Sequence, residues 1–501
     1  MSIFDTLIAG SGLFFTPLAI LLTLVGCLAG LIIGVLPGLG PLMGIVLMMP
    51  VAFYLPPIPA MGMLIAIFVG GSCGGAISAI VLRIPGTPLA AATLLDGYPM
   101  AQRGRAGDAI GLAVSSSALG GIFGGIVLIF FAPVLAGFAL RFAPPEYFAL
   151  ALLGLICIAV VSQESTIKGF LTGALGLLLA TIGTDSFSQA NRFTFGQYQL
   201  LNGFHIVAVV VGLFALSEMF LQVQSGRLDQ KPKVQKITVS FNSLFMALRH
   251  KTNLLRSSTI GTFFGALPGA GGVMSSFTAY AVAKANGKSD VPYGQGAEGG
   301  VVATESANNS ACGGTLIPTL ALAIPGDASS AVLMGALLLL GFFPGPDLFE
   351  RNPDVVGGIF IAYIFANIFL FILGILLTPV FVSVLKLKKK FLIPLVLLLC
   401  VVGVFALQSS VFDLWVMFGF GVLGYVLRKF NYPLAPIVIG LILGPIAESN
   451  FRRSLLMSDD GAMVFFDRPV SALIMVVNVL LIILVLLPDK WRVWKTRVSD
   501  I

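Results

Sequence analysis

Residues 34–40 read GVLPGLG, and residues 265–271 read GALPGAG. In both copies a small residue, Gly30 or Gly261, stands four positions before the first glycine. The repetition continues. Cys73-Gly74-Gly75 and then Ile84-Pro85-Gly86 in the first half are matched by Cys312-Gly313-Gly314 and Ile324-Pro325-Gly326 in the second. The three offsets are 231, 239 and 240, so the order is kept with small insertions. Farther on, residues 148–163 resemble 391–408, and 212–220 loosely resemble 444–451, each of the latter two with one acid, Glu218 or Glu448. A chain that repeats itself at this spacing is built from two related units.

Composition says where those units live. Of 501 residues, 57% are hydrophobic and only 10% charged, and the mean hydropathy is +1.01. Soluble domains carry about 25% charged residues, and disordered chains are poorer in apolar residues than this one. The 58 glycines and 28 prolines suit membrane helices with breaks. Apolar stretches long enough to span roughly 30 Å of hydrocarbon lie near 14–36, 107–141, 147–163, 167–183, 203–224, 357–385, 391–407, 412–427 and 470–488. Regions 42–95 and 252–342 are apolar but interrupted by Gly, Pro, Ser, Thr and Asn, as in broken helices or re-entrant hairpins. The expected fold is an all-α polytopic membrane protein of roughly 10–12 membrane segments in two inverted repeats. Its parts are a first repeat over 1–224, a basic cytoplasmic linker over 225–256, a second repeat over 257–451, and an extra span with a cytoplasmic tail over 452–501.

The net charge is +7. Its basic residues sit in short clusters between apolar runs, which follows the positive-inside rule rather than a nucleic-acid footprint. Arg227, Lys231, Lys233, Lys236, Arg249, Lys251 and Arg256 face a single acid, Asp229. Lys386 to Lys390, Arg428 with Lys429, and the tail mark further cytoplasmic segments. The loop after the first Ile-Pro-Gly is basic (Arg103, Arg105), and the loop after the second is acidic (Asp347, Glu350, Asp354). Corresponding loops then face opposite sides, with the N-terminus outside. Inverted repeats broken at matching positions are a signature of secondary transporters.

The chemistry of the breaks fits that reading. Pro37 and Pro268 end helices. Gly38, Gly40, Gly269 and Gly271 permit positive φ and close backbone approach. Amides freed at a half-helix N-terminus attract anions, and freed carbonyls hold sodium. Close packing through GxxxG is the alternative use of these glycines. Residues 298–330 are polar for a membrane region: Thr304, Glu305, Ser306, Asn308, Asn309, Ser310, Thr315, Thr319, Asp327, Ser329 and Ser330. Ser72, Ser78, Thr87, Thr93 and Asp96 match them in the first half. Intramembrane polar groups default to function, although some cap helix breaks. The candidate substrate site is Pro37, Gly38, Gly40, Ser72, Thr87, Pro268, Gly269, Gly271, Asn308, Asn309, Ser310, Asp327 and Ser329. Candidate sodium ligands are Gly38, Ser72, Gly269, Asn309 and Thr315. Arg83 either pairs a carboxylate or snorkels to an interface, and the second is favoured.

Enzyme-like strings carry less. GGSCG over 70–74 fits G-x-S-x-G and leaves open an intramembrane hydrolase pairing Ser72 with His205. Gly294, Gly296 and Gly299 fit G-x-G-x-x-G without a βαβ context. Five cysteines in apolar segments, without CxxC, and two histidines imply neither a disulfide framework nor zinc.

Taken together, residues 34–41 (GVLPGLGP), 95–107 (LDGYPMAQRGRAG), 145–148 (PEYF), 305–314 (ESANNSACGG), 324–330 (IPGDASS), 443–455 (LGPIAESNFRRSL) and Arg468-Pro469 resemble the large membrane subunit of tripartite tricarboxylate transporters, the TctA family. The resemblance spans about residues 14–488. Thr87 departs from it, since members often carry an acid there. The resemblance implies a non-enzymatic subunit that imports a tricarboxylate or dicarboxylate on a cation gradient, usually sodium, with no other cofactor. It implies a small TctB-like membrane subunit, a periplasmic TctC-like binding protein and the bacterial inner membrane. It also implies alternating access, in an elevator-like form. A passive channel is the competing reading.

Overall fold

The computed structural model describes residues 3–36, 38–161, 166–185, 187–224, 237, 239–268, 271–286, 290–385, 389–458 and 461–486. The first half holds α1 (Ile3–Phe14), α2 (Pro17–Val35), α3 (Gly40–Phe53), α4 (Pro57–Leu82), a 3-10 turn (Pro88–Ala90), α5 (Leu94–Met100) and α6 (Ala106–Ala139), then α7 (Pro144–Val161), α8 (Thr166–Ala180), α9 (Ile206–Val210) and α10 (Ser217–Gln224). A π-helical stretch joins α9 to α10, and another, kinked at Gly104 (φ +80), joins α5 to α6. Two short strands, β1 (Gly183–Thr184) and β2 (Asn191–Arg192), pair antiparallel between α8 and α9.

The second half holds α11 (Ser243–Arg249), α12 (Lys251–Ala266), α13 (Gly271–Asn286), α14 (Glu298–Leu322), α15 (Ala328–Leu339), α16 (Pro346–Arg351) and α17 (Pro353–Leu376). It continues through α18 (Thr378–Val384), α19 (Lys389–Gln408), α20 (Val411–Lys429), α21 (Ala435–Leu456), α22 (Val464–Asp467) and α23 (Pro469–Leu486). Helices α11 and α12 begin within the stretch read as linker, whose residues 225–236 and 238 lie outside the described ones. So do Lys386, Lys388 and the tail.

Sequence sets these boundaries locally. Pro17, Pro57, Pro346 and Pro353 open their helices, where a missing N–H costs nothing. The Thr16 hydroxyl caps α2 by accepting from the Ala19 amide at 3.3 Å. Among the described residues six helices are long and apolar enough to cross a membrane. A seventh candidate is the pair 461–467 and 469–483, bent by 101°. The expected spans at 147–163, 167–183 and 391–407 are instead shorter apolar helices at Pro144–Ile156, Thr166–Ala180 and Ile393–Ala406. Polarity is distributed as a bilayer requires. On α6, Ser115, Ser116 and Ser117 are wholly buried, while Phe131 and Val134 are 63% and 67% exposed.

The internal repeat reappears atom by atom in the packing. A Cβ on Gly34 would stand 2.4 Å from the Gly71 carbonyl oxygen, and one on Gly265 2.4 Å from the Ala311 oxygen. Gly74 meets Leu31 and Gly34 as Gly314 meets Thr262 and Gly265. Gly86 packs on the Gly34 oxygen and Gly75, and Gly326 on the Gly265 oxygen and Thr315. Arg83 and Ala323 end α4 and α14, each in the left-handed region at φ +57. The structural offset in α4 and α14 is therefore 240 throughout. Matching the two Cys-Gly-Gly strings at 239 slips the register by one, and Ser72, not Cys73, is the counterpart of Cys312.

The repeats are inverted. Helix α17 runs parallel to α4, with Gly358 on Ile58 and Ala362 on Gly62. Helix α6 runs parallel to α14, with Gly120 on Ser306 and Gly124 on Ser310. The equivalents α6 and α17 run antiparallel, with Val114 on Gly374, Gly121 on Asn367 and Gly125 on Tyr363. A two-fold relation that reverses helix direction has its axis across the helices. The outer elements exchange likewise, α8 packing on α21 and α20 on α9 and α10.

Candidate functional site

The two halves meet where α4 and α14 cross. The Asn308 amide donates to the Ser72 carbonyl at 3.0 Å. The Cys312 thiol donates to the Ser72 hydroxyl at 3.4 Å, which itself donates to the Phe68 carbonyl at 2.8 Å. Beside this crossing lies a crevice too tight to hold a water molecule, lined by Phe68, Leu89, Gly272, Asn308, Ala311, Cys312 and Asp327.

The broken turns stand over this crossing. Gly40 (φ +67) and Gly271 (φ +54) adopt the left-handed backbone that glycine permits. Thr87 lies against Gly40, and Asp327 holds the same place against Gly271. Asp327 caps α15, accepting from the Ser330 amide at 2.7 Å. Ser329 is buried in the first turn behind it. Gly38 (φ +91) donates its amide to the Gly86 carbonyl at 3.2 Å, tying the first Pro-Gly turn to the Ile-Pro-Gly turn. A Cβ on Gly38 would stand 2.7 Å from the Glu218 carboxylate, which accepts from Gln222 at 3.0 Å and pairs with Arg428. Leu89, two residues after Thr87, reaches Gly272 of the other repeat.

Asn308 Oδ1, in the lining of the crevice, has no partner in the structure, and neither do Thr87 Oγ1, which stands against Gly75, or the two side-chain polar atoms of Asn309. Buried polar atoms are normally satisfied, so these residues stand out from the rest of the buried polar set. Other predicted site residues are placed differently. Ser310 bonds to the Ala307 carbonyl of its own helix at 3.2 Å and packs on Gly261. Thr315 bonds to the Cys312 carbonyl at 2.9 Å and packs on Gly326. Pro268 follows the end of α12, half-buried. Pro37 and Gly269 lie outside the described residues. Arg83 is exposed, its guanidinium 5.5 Å from the Tyr98 ring centroid.

A sequence model of the tripartite tricarboxylate transporter TctA family matches residues 20–439. This chain belongs to the TctA family. In Agrobacterium vitis, an uncharacterized 52.8 kDa protein in the TAR-I ttuC' 3' region is 35% identical over 489 residues, 98% of this chain and 97% of that protein. An uncharacterized protein in the TAR-II ttuC' 3' region of the same organism is 35% identical over 229 residues, 46% of this chain and 95% of that protein. No solved structure matches. The chain is thus a multi-pass membrane component of a TctA-type transporter.

Within this TctA-family chain the enzyme-like strings have structural uses. Ser72 is bonded to Phe68 and Cys312, and no imidazole bonds to it among the described residues. His205 precedes α9 with Asp413 as its charged neighbour. The Gly294 to Gly299 string is a nest around Asp96, whose Oδ1 accepts from the amides of Gly294, Gly296 and Ala297 at 2.8, 2.7 and 2.8 Å. Sequence reading noted Asp96 but not this role. It also left out Phe68 and Leu89, apolar residues that nothing in the sequence distinguishes from core.

Proposed function

We propose that this chain is the large transmembrane subunit of a binding-protein-dependent secondary transporter that imports a tricarboxylate or dicarboxylate on a cation gradient, with sodium as coupling ion. It works in a bacterial inner membrane with a TctB-like small subunit and a TctC-like periplasmic binding protein, and it performs no covalent chemistry on its cargo. The carrying observation is the meeting of two inverted repeats at Ser72 and Asn308, beside two glycine-broken turns and a set of buried, unpartnered polar atoms. Amides and hydroxyls of this kind suit carboxylate oxygens and can replace water around sodium. Two pseudo-symmetric halves that exchange conformations by moving against each other at the α4–α14 crossing give alternating access, in an elevator-like form. The basic loop at 103–105 lies at the same end as the linker's C-terminal part: Arg105 pairs with Glu298 at 2.6 Å, and His250 stands 3.4 Å from the same carboxylate. That supports a cytoplasmic assignment for both and an external N-terminus.

The test is uptake in proteoliposomes by Asn308→Leu and Asn309→Leu variants. Each is expected to insert in normal amount and lose uptake by about tenfold or more, the equivalent of one lost polar contact of about 1.4 kcal/mol. Normal uptake in both variants would remove the site assignment.

A further inference from the structure

The polar stretch at 304–309 has no polar counterpart in the first repeat. The 240-residue offset places Thr304, Glu305, Ser306, Asn308 and Asn309 on Leu64, Ile65, Ala66, Phe68 and Val69. All ten are buried, in helices that pack in the same way. Isoleucine at this place satisfies the fold, so a carboxyl at position 305 is not required to build the helix pair. It also carries a cost, because a buried carboxylate without a cation gives up its hydration.

Glu305 is 0% exposed. Its Oε1 accepts from the Thr93 hydroxyl, and its Oε2 from the Ser117 hydroxyl at 2.8 Å. Thr93 also bonds to Thr304 Oγ1 at 3.1 Å. Thr93 and Ser117 belong to the first repeat, while Asn308 of α14 also bonds to the carboxyl, so the group sits across the seam between the halves. Among the described residues no Lys, Arg or His is within ion-pair distance of it. Among the described residues, the neighbouring elements turn no cation toward it. Helix α4 presents Cys73, α5 turns Asp96 toward the loop at 294–297, and α13 turns Tyr280 toward Asp96. On α17 the Tyr363 hydroxyl donates to the Asn309 carbonyl. On α6 Asp108 pairs with Arg105, and on α12 Arg256 bonds to Asn253.

We propose that Glu305 is a proton-binding site whose carboxyl takes up one proton from the aqueous side open to the repeat seam and releases it to the other, so that transport carries a proton beside the coupling ion. The proposal rests on the transporter function given above. The Thr93 and Ser117 hydroxyls each bond to one carboxyl oxygen, and Thr93 is linked on to Thr304, a chain that suits a shared proton. A sodium ion among them requires the same oxygens to spread around it.

Infrared difference titration of the full-length protein in liposomes tests this without substrate or partner. The wild type is expected to show a protonated-carboxyl band titrating above the ordinary glutamate value of about 4.3, by up to about 3–5 pH units as documented for fully buried groups, and Glu305→Gln is expected to lack it. Sodium chloride at constant pH leaves the band in place. Ser117→Ala keeps the carboxyl and moves its midpoint by about one pH unit, the worth of one hydrogen bond. Identical bands in wild type and Glu305→Gln overturn the proposal. So do a band abolished by sodium chloride, which makes this a sodium site, and an unmoved midpoint in Ser117→Ala. Uptake assays report separately on transport, so a failure of either reading is told apart from a failure of the other.

Discussion

Ser72 and Cys312 occupy equivalent positions in the two repeats and touch each other, thiol to hydroxyl, at 3.4 Å. Residues that contact their own counterparts lie on the symmetry axis, so the pseudo-two-fold passes between these two side chains. If the halves move against each other during transport, this contact opens. Ser72→Cys is expected to form a disulfide with native Cys312 under mild oxidation, since a small approach brings the sulfurs to bonding geometry. Uptake by the oxidised variant should stop and return with dithiothreitol. A cross-linked protein with full uptake would show that the seam stays closed throughout the cycle.

The seam between α6 and α14 is set by backbone contact. A Cβ on Gly120 would stand 2.3 Å from the Ser306 carbonyl oxygen, and two backbones cannot yield as a flexible side chain can. Gly120→Val should cost about 1–3 kcal/mol or more, read as a lower Tm in detergent. Gly137, on the same helix with nothing within 4 Å of a Cβ, is the control. Gly137→Ala should be neutral or stabilising by about 0.5–1 kcal/mol. Equal losses in both would mean that helix packing is not what these glycines serve.

Asp96 holds the entrance to α14 through three backbone amides and is almost wholly buried. Asp96→Ala leaves those donors orphaned and should cost about 3–5 kcal/mol, whereas Asp96→Asn keeps an acceptor oxygen and should cost less. Thermal unfolding of the two variants distinguishes them. An alanine variant as stable as wild type would deny the nest its role.

Asp185, in the loop between α8 and α9, is held well below the usual carboxylate range. The Ser188 hydroxyl at 2.5 Å contributes most, followed by Arg452 at 2.8 Å and by the Phe187 and Ser188 amides. Because the folded-state value is depressed, its stabilisation is complete above the unfolded value of about 3.9 and fades as pH falls toward the folded-state value. Asp185→Asn should lower Tm at neutral pH, and the gap should narrow below about pH 4. A gap that stays constant down to acid pH would contradict the assignment.

The repeat was legible because its glycines and prolines are demanded by backbone geometry at Gly34, Gly40, Gly86 and their counterparts, and a residue without a Cβ cannot be exchanged there. The polar run at 304–310 was legible as an anomaly against its apolar surroundings. The pairings were not legible. Nothing local in the sequence tells that Thr93 and Ser117 converge on Glu305, or that backbone amides at 294–297 gather on Asp96. The one-residue slip at Cys-Gly-Gly has a similar origin: cysteine identity attracts an alignment, whereas helix packing follows the small residues around it. Ser310 and Thr315 read as ligands because hydroxyls in membrane helices suit ions, but their own helix carbonyls satisfy them.

Uptake of a labelled carboxylate panel into proteoliposomes is the most direct test of the function proposed for this chain. The vesicles would hold the chain with the proposed TctB-like subunit, assayed with and without a sodium gradient and with and without the proposed TctC-like binding protein. Concentrative uptake of a tricarboxylate or dicarboxylate that requires both is the expected result. Flux that is indifferent to the gradient and to the binding protein would contradict it and make the chain a passive channel.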